Sequence, residues 1–494
     1  LSPAKRVRGW ASIVFLGLAT AWGPAAAQAG DVERLVAALV GETPLLEDLR
    51  TLTDEVGGRP TGAAPNLRAV EWGLARFRAA GVEARVEPFT MPARWLERSA
   101  RATVKGAVTF TPQVAAMPFS TATPPAGLEA PLRDGGSGSV KDIERLGVTA
   151  KGAFVLVETP ELTDLDGLFK EYSEAAAIEK RAFPAGVAGL VYMASRPRTL
   201  LYRHNASRGQ RNQHPMLVME REAAERALRL LRAGKNLDLR AQIDIESGGP
   251  YESQNVVGEI RGAEEPEEIV LLGAHLDSWD LGTGALDNGC NAALVIDVAR
   301  QIRALGLKPR RTLRFVLWNG EEQGMMGSWG YTKTHAAELD RHRITTTLDI
   351  GSGRINGFFT NGRPELLPAL ERALRPVHGL GPFTQVEEPI VGTDNYDFML
   401  QGVANLVANQ ESANYAPNYH ARSDTFDKVD QRQLRLNGAI TAAVVWSLAE
   451  GDLPWARQGR AEIEALVEKT SLKDQMASFG LLESWLDGSR GRRP

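Results

Sequence analysis

The sequence predicts an α/β fold, and three observations carry that expectation. From residue 249 onward, strand-like and helix-like runs alternate; His, Asp and Glu residues fall at the ends of the predicted strands; and residues 100–248 form a separate stretch of short β-like runs, Gly/Pro turns and a few helices. Open α/β sheets bind ligands beyond the carboxyl ends of their strands, so fold and candidate site point to the same edge.

Each element follows from its local pattern. Lys5, Arg6 and Arg8 precede an apolar run from Trp10 to Trp22 and then small residues, the layout of a secretory signal peptide over residues 1–29 with cleavage after Ala27 or Ala29. That run is short for a membrane span, although an uncleaved anchor is the alternative, and no later segment offers the roughly 20 apolar residues a span needs. Residues 31–95 read as helices separated by the turn Val-Gly-Gly-Arg-Pro-Thr-Gly. The second helix carries Val70, Leu74, Phe77 and Ala80 at helical spacing, and a strand follows at Val82–Phe89. Within 100–248 the strongest strand candidates are Gly-Ala-Phe-Val-Leu-Val and Ala-Gly-Leu-Val-Tyr-Met. Beyond residue 249 come a strand ending at Ala274, a helix from Gly289 to Leu305, the strand Thr-Leu-Arg-Phe-Val-Leu-Trp, a helix from Ser328 to Glu338 and the strand Ile-Thr-Thr-Thr-Leu-Asp-Ile. A closing helix, Gly-Ala-Ile-Thr-Ala-Ala-Val-Val-Trp, precedes a tail from Ala456 to Pro494 that ends in basic residues. Its amphipathic stretches suit either a homodimer contact or local packing.

Composition excludes several classes. At 43% hydrophobic and 24% charged over 494 residues, the chain is an ordinary globular protein of more than one domain. Loss of residues 1–30 would move the formal charge from −4 to −7, which argues against a nucleic-acid surface. Cys290 is the single cysteine, so no internal disulfide can form, and export would suit a periplasm-like compartment better than a disulfide-rich extracellular one. The sequon at Asn205 matters only in a eukaryotic secretory route.

The chemistry concentrates in Ala274–Asn288, where His275, Asp277 and Asp287 surround one strand end. Glu321 and Glu322 follow, then Asp349, then His420. Imidazole and carboxylate ligands without cysteine suit an open catalytic zinc site, and the number of ligands suits two ions. The carboxylate of Asp277, two residues beyond His275, is placed to accept the other ring N–H. Cys290 is either a small buried residue or a thiol activated at a helix N-terminus. Arg422 is either a partner for a substrate carboxylate or a structural contact. His204, His214, His335, His342 and His378 read as surface or packing residues.

Four segments carry a resemblance: "LLGAHLDSWDLGTGALDNG", "LWNGEEQGMMGS", "GTDNYDF" and "YHARSDTFDKVD". In order and separation they resemble the signatures of the co-catalytic zinc exopeptidases, the family that includes carboxypeptidase Q, aminopeptidase S and aminopeptidase Y. Residues 100–248 resemble, more weakly, the protease-associated domain that many members carry. The resemblance implies a three-layer αβα sandwich formed by 30–99 and 249–455, a mainly β insert at 100–248, and a helical tail at 456–494. It implies two Zn2+ per chain, one held by His275 and Asp349, the other by Glu322 and His420, with Asp287 bridging. Glu321 is then the general base acting on a zinc-bridging water, and a cis peptide follows Asp287. Tyr419 is either a donor to the reacting carbonyl or an aromatic core residue.

The implied function is a secreted or periplasmic dinuclear metallo-exopeptidase that removes N-terminal residues or cleaves dipeptides and short peptides. A carboxypeptidase of the same family, a non-catalytic receptor or binding protein on the scaffold, and a glutaminyl-cyclase-like acyl transferase are the alternatives. The expected partner is a peptide, with no nucleic acid and no membrane after signal cleavage.

Overall fold

A computed structural model of the protein describes residues 24–204 and 213–493. Most of the signal-peptide expectation and the sequon at Asn205 lie outside the described residues. Among the described residues no helix is long and apolar enough to cross a membrane.

The catalytic unit is built on a seven-stranded sheet. Its order is Glu83–Met91, Tyr251–Ile260, Arg311–Trp318, Glu265–His275, His342–Thr347, Asn405–Gln410 and Ile355–Phe359. The four strands from Arg311–Trp318 to Asn405–Gln410 run parallel, and the outer pairings are antiparallel. Burial on both faces explains why the inner strands read as continuous apolar runs. Alternation then sorts their side chains: Val270, Leu272, Leu313, Phe315 and Leu317 join Leu294, Ile440 and Val444 of the helices on one face. Ile269, Leu271, Val316 and Trp318 join Tyr331 and Phe398 on the other. The result is an α/β sandwich with helices on both sides of the sheet. The helix predicted from Ser328 to Glu338 is instead an α-helix at Met326–Thr334 followed by a 3-10 turn at Ala336–Arg341.

Residues 94–248 build a second seven-stranded sheet that also has two apolar faces. Phe154, Leu156, Val191 and Met193 point to one and Val155, Val157, Leu190 and Tyr192 to the other. Helix Arg221–Arg232 covers the first through Ala224, Ala227 and Leu228, and helix Leu165–Ala182 covers the second through Ala175 and Ile178. The insert is thus a seven-stranded sheet with helices packed on both of its faces.

The tail folds back on its own chain. Helices Arg460–Lys469, Leu472–Ser478 and Leu482–Leu486 bury Ile463, Val467, Met476, Phe479 and Trp485 against Met325, Val391, Tyr396 and Leu400. Arg490 makes a 2.6 Å ion pair with Asp397, and both side chains are buried. Removing one partner of a buried pair strands the other charge, at a cost of about 3–5 kcal/mol. Arg490→Met is therefore expected to lower the melting temperature in calorimetry; an unchanged value would mean that the tail docks through its apolar face alone.

Candidate active site

His275 is the last residue of its strand, and its ring orientation is set by the turn that follows. Nδ1 lies 2.9 Å from the main-chain carbonyl of Asp277, the geometry of an Nδ1–H donor, which leaves Nε2 aimed inward. The Asp277 carboxylate stands farther from the ring, at 3.7 Å. This corrects the expected contact: the carboxylate instead accepts from the Thr61 hydroxyl at 2.8 Å and the Glu321 N–H at 3.3 Å. Asp277 thus ties the first ligand loop to the turn that carries Glu321 and Glu322.

Asp287 occupies an irregular loop between Gly284 and the helix beginning at Cys290, and the Asp287–Asn288 peptide is cis. The loop is pinned from several sides. Leu286 and Asp287 donate their N–H groups to the Asp424 carboxylate, and Asn288 donates to the Leu348 carbonyl at 2.7 Å. The buried guanidinium of Arg59 donates to the carbonyls of Leu276, Thr283 and Gly284. Burial pushes Arg59 down to about 10 and Asp424 up to about 7. Gly284 has φ +61, and a Cβ there would lie 2.3 Å from that of Ser278, so the turn requires glycine.

The carboxylate so presented faces two imidazoles at once. Asp287 Oδ1 is 3.1 Å from His275 Nε2, and Oδ2 is 3.3 Å from His420 Nε2. Asp349 Oδ1 approaches His275 Nε2 to 2.9 Å and Glu322 Oε2 approaches His420 Nε2 to 2.8 Å. Two triads result, His275–Asp287–Asp349 and Asp287–Glu322–His420, each with its ligand atoms within 4.8 Å of one another and all residues buried. His420 Nε2 thus stands between Asp287 Oδ2 and Glu322 Oε2 at ion-pair distance. At His275, two carboxylates compete for one ring nitrogen. Nitrogen and oxygen donors converging in this way fit zinc. Asp287, Glu322, Asp349 and Glu321 would bring four negative charges into one buried space, which bound divalent cations would offset.

His420 is anchored by the insert: its Nδ1 faces the Arg203 carbonyl at 3.3 Å, and the Arg203 N–H donates to the His420 carbonyl at 3.0 Å. Arg203 is held by Glu97 and by Asp280 at 2.8 Å. Tyr419 stacks on the His420 ring with centroids 3.6 Å apart, and its hydroxyl is 2.7 Å from that of Tyr172. Glu321, Asp287 and Asp349 line a cavity of about 660 Å³, and Tyr419 lines it with them. Burial, reinforced by the neighbouring carboxylates, pushes Glu321 well above the ordinary glutamate range.

Several contributors carried no assignment from sequence: Arg59, Thr61, Tyr172, Arg203, Asp394 and Asp424. Asp394 and Asp424 lie inside conspicuous segments, "GTDNYDF" and "HARSD", but nothing in a motif states which neighbour an aspartate faces. Cys290 is buried and its thiol is pushed up by burial, which excludes the activated-thiol reading. Arg422 is exposed and donates to Gln113 of the insert at 3.1 Å.

Residues 255–445 match Peptidase family M28. Carboxypeptidase Q of Bos taurus is 28% identical over 419 residues, covering 82% of this chain and 85% of that one. A probable lipoprotein aminopeptidase of Mycobacterium tuberculosis is 24% identical over 456 residues, covering 84% and 85%. Among solved structures, a peptidase M28 precursor from Shewanella amazonensis superposes with TM-score 0.78 at 26% identity over 88% of this chain and 99% of that one. A zinc aminopeptidase from Bacillus subtilis shares the fold, with TM-score 0.66 at 21% identity over 82% and 94%.

The metal-free site makes a prediction about protons. Burial opposes the charged form of both imidazoles, but Glu322 and Asp287 raise His420 to about 9, and Asp349 leads the groups that raise His275 well above its ordinary value. His420 therefore carries a proton at pH 7.5 when metal is absent, His275 is shifted in the same direction, and a zinc ligand must be neutral. Zinc uptake at that pH is expected to release protons, with apparent affinity falling as pH drops. Titration calorimetry in buffers of different ionisation enthalpy reads this; uptake without proton release would refute it.

Proposed function

The chain is a zinc exopeptidase resembling carboxypeptidase Q, and we propose that it works as a dinuclear enzyme, exported from the cell, on short peptides. The observation that carries this reading is the placement of Glu321 on the cavity wall beside two triads that share Asp287. His275 and Asp349 would hold one zinc and Glu322 and His420 the other, with Asp287 between. Zinc bound there would polarise the scissile carbonyl and make water acidic near neutral pH.

The chain's own residues supply the rest. The Glu321 carboxylate takes the proton of the attacking water and delivers it to the leaving amine. That exchange requires a pKa lifted toward neutrality, which burial supplies and nearby cations would moderate. Tyr419, whose hydroxyl burial keeps protonated, is placed to donate to the carbonyl oxygen as negative charge develops. Asp277 holds the Glu321 turn, and the carbonyls of Asp277 and Arg203 orient the two histidines. The leader-like residues 1–29 support export to the periplasm or outside the cell.

Two readings of chain direction draw support. The aminopeptidase relatives favour removal of N-terminal residues, and the carboxypeptidase Q relatives favour cleavage next to a free carboxyl terminus. Free, N-blocked and C-blocked dipeptides separate them: the blocked end that abolishes cleavage is the end the site recognises. Chelation should remove activity and zinc restore it. Glu321→Gln should retain two zinc ions by elemental analysis and lose about 10²- to 10⁴-fold in kcat. Turnover undiminished in that variant would remove Glu321 from the chemistry.

A further inference from the structure

The cavity in front of the ligand cluster is walled by three separate parts of the chain. The catalytic unit contributes Ile390 and Val391, the insert contributes Phe169 and Tyr172 from helix Leu165–Ala182, and the tail contributes Phe479 at the end of helix Leu472–Ser478. The last two parts meet edge to face: the Phe169 and Phe479 rings are 6.0 Å apart at 62°, and Tyr172 lies 5.7 Å from Phe479. Tyr172 in turn carries the hydroxyl that meets Tyr419. Phe479 has a built seat, because Gly392 takes φ +108 and a Cβ there would stand 3.3 Å from the ring.

Phe169 is 37% exposed although it is a large apolar residue on the cavity wall. Charged side chains that also line the cavity, Lys170 and Asp474 among them, are exposed to solvent. About 660 Å³ is within the range of a pocket for a small ligand, and the contacting rings of the insert and the tail wall one side of it.

Resting on the peptidase reading above, we propose that Phe479 of the tail and Phe169 of the insert form an aromatic wall that determines specificity. It favours short peptides with a bulky apolar side chain next to the scissile bond and excludes longer chains. Apolar contact of this kind discriminates through area removed from water, so it is graded by side-chain size.

The experiment compares kcat/KM for Ala-Ala, Leu-Ala, Ala-Leu and tetraalanine in the zinc-loaded full chain and in Phe169→Ala, Phe479→Ala and the corresponding leucine variants. The unmodified chain should prefer one leucine dipeptide over Ala-Ala by roughly tenfold or more, and either dipeptide over tetraalanine. Both alanine variants should compress the leucine preference severalfold and raise tetraalanine relative to Ala-Ala, with the leucine variants restoring part of each ratio. Phe169 is exposed, so its truncation leaves no core cavity, and its melting temperature should stay at the parent value. Ratios unmoved in both alanine variants would overturn the wall while leaving the peptidase intact. Failure to cleave any of the four peptides with zinc bound would overturn both.

Discussion

The concentration of carboxylates around Asp287 is the constraint on which the rest of the structure depends. Asp287, Glu321, Glu322, Asp349 and Asp394 are all buried, and Asp277 and Asp424 stand behind them. Anions removed from water in this number do not stay charged without compensation. The metal-free site compensates in two ways. Glu322 is lifted to about 7 by burial, and Asp287 is held far below its ordinary range by the two imidazoles despite its burial. A cluster of this kind is costly as a structural element and useful as a cation cradle, which is why the surrounding loops carry so many fixed hydrogen bonds.

Those bonds assign each neighbour a positioning task. Arg59 spends its donors on three main-chain carbonyls and fixes the path of the loop that presents Asp287. Asp424 fixes the same loop through main-chain N–H groups, and Asp277 couples the His275 turn to Glu321. Ligand atoms are therefore oriented by backbone geometry more than by side-chain pairing. Loss of an outer contact of this sort typically costs about 10- to 100-fold in metal affinity or activity.

How much of this was legible in the sequence follows from the range of each interaction. His275, Glu321, Glu322, Asp349 and His420 stood out because each lies at or beyond a strand end, and strand ends follow from local apolar runs. The helix Cys290–Ala304 and the strand Arg311–Trp318 were visible for the same reason. Thr61 on Asp277 and Arg203 on His420 were not visible, because more than 200 residues separate the partners and neither residue type announces a role. The tail was read as a dimer contact or local packing. Its place on the cavity wall depends on Phe479 meeting a helix some 300 positions earlier, a contact that no local pattern announces.

The insert and the catalytic unit are joined at the residue that matters most for the second triad. His420 adopts φ +54, a left-handed conformation that costs a non-glycine residue about 1–2 kcal/mol. The turn persists because both sides hold it. Arg203 donates to the His420 carbonyl and Arg422 donates to the Leu201 carbonyl at 2.9 Å, so two short strands of different units clasp the ligand. The same clasp brings the Arg203 carbonyl to Nδ1 and leaves Nε2 for the metal. A catalytic unit without its insert would have the sequence of His420 but neither its tautomer nor its turn. The insert is thus part of the construction of the candidate metal site, and the helix it sends toward the tail makes it part of the cavity in front of that site as well.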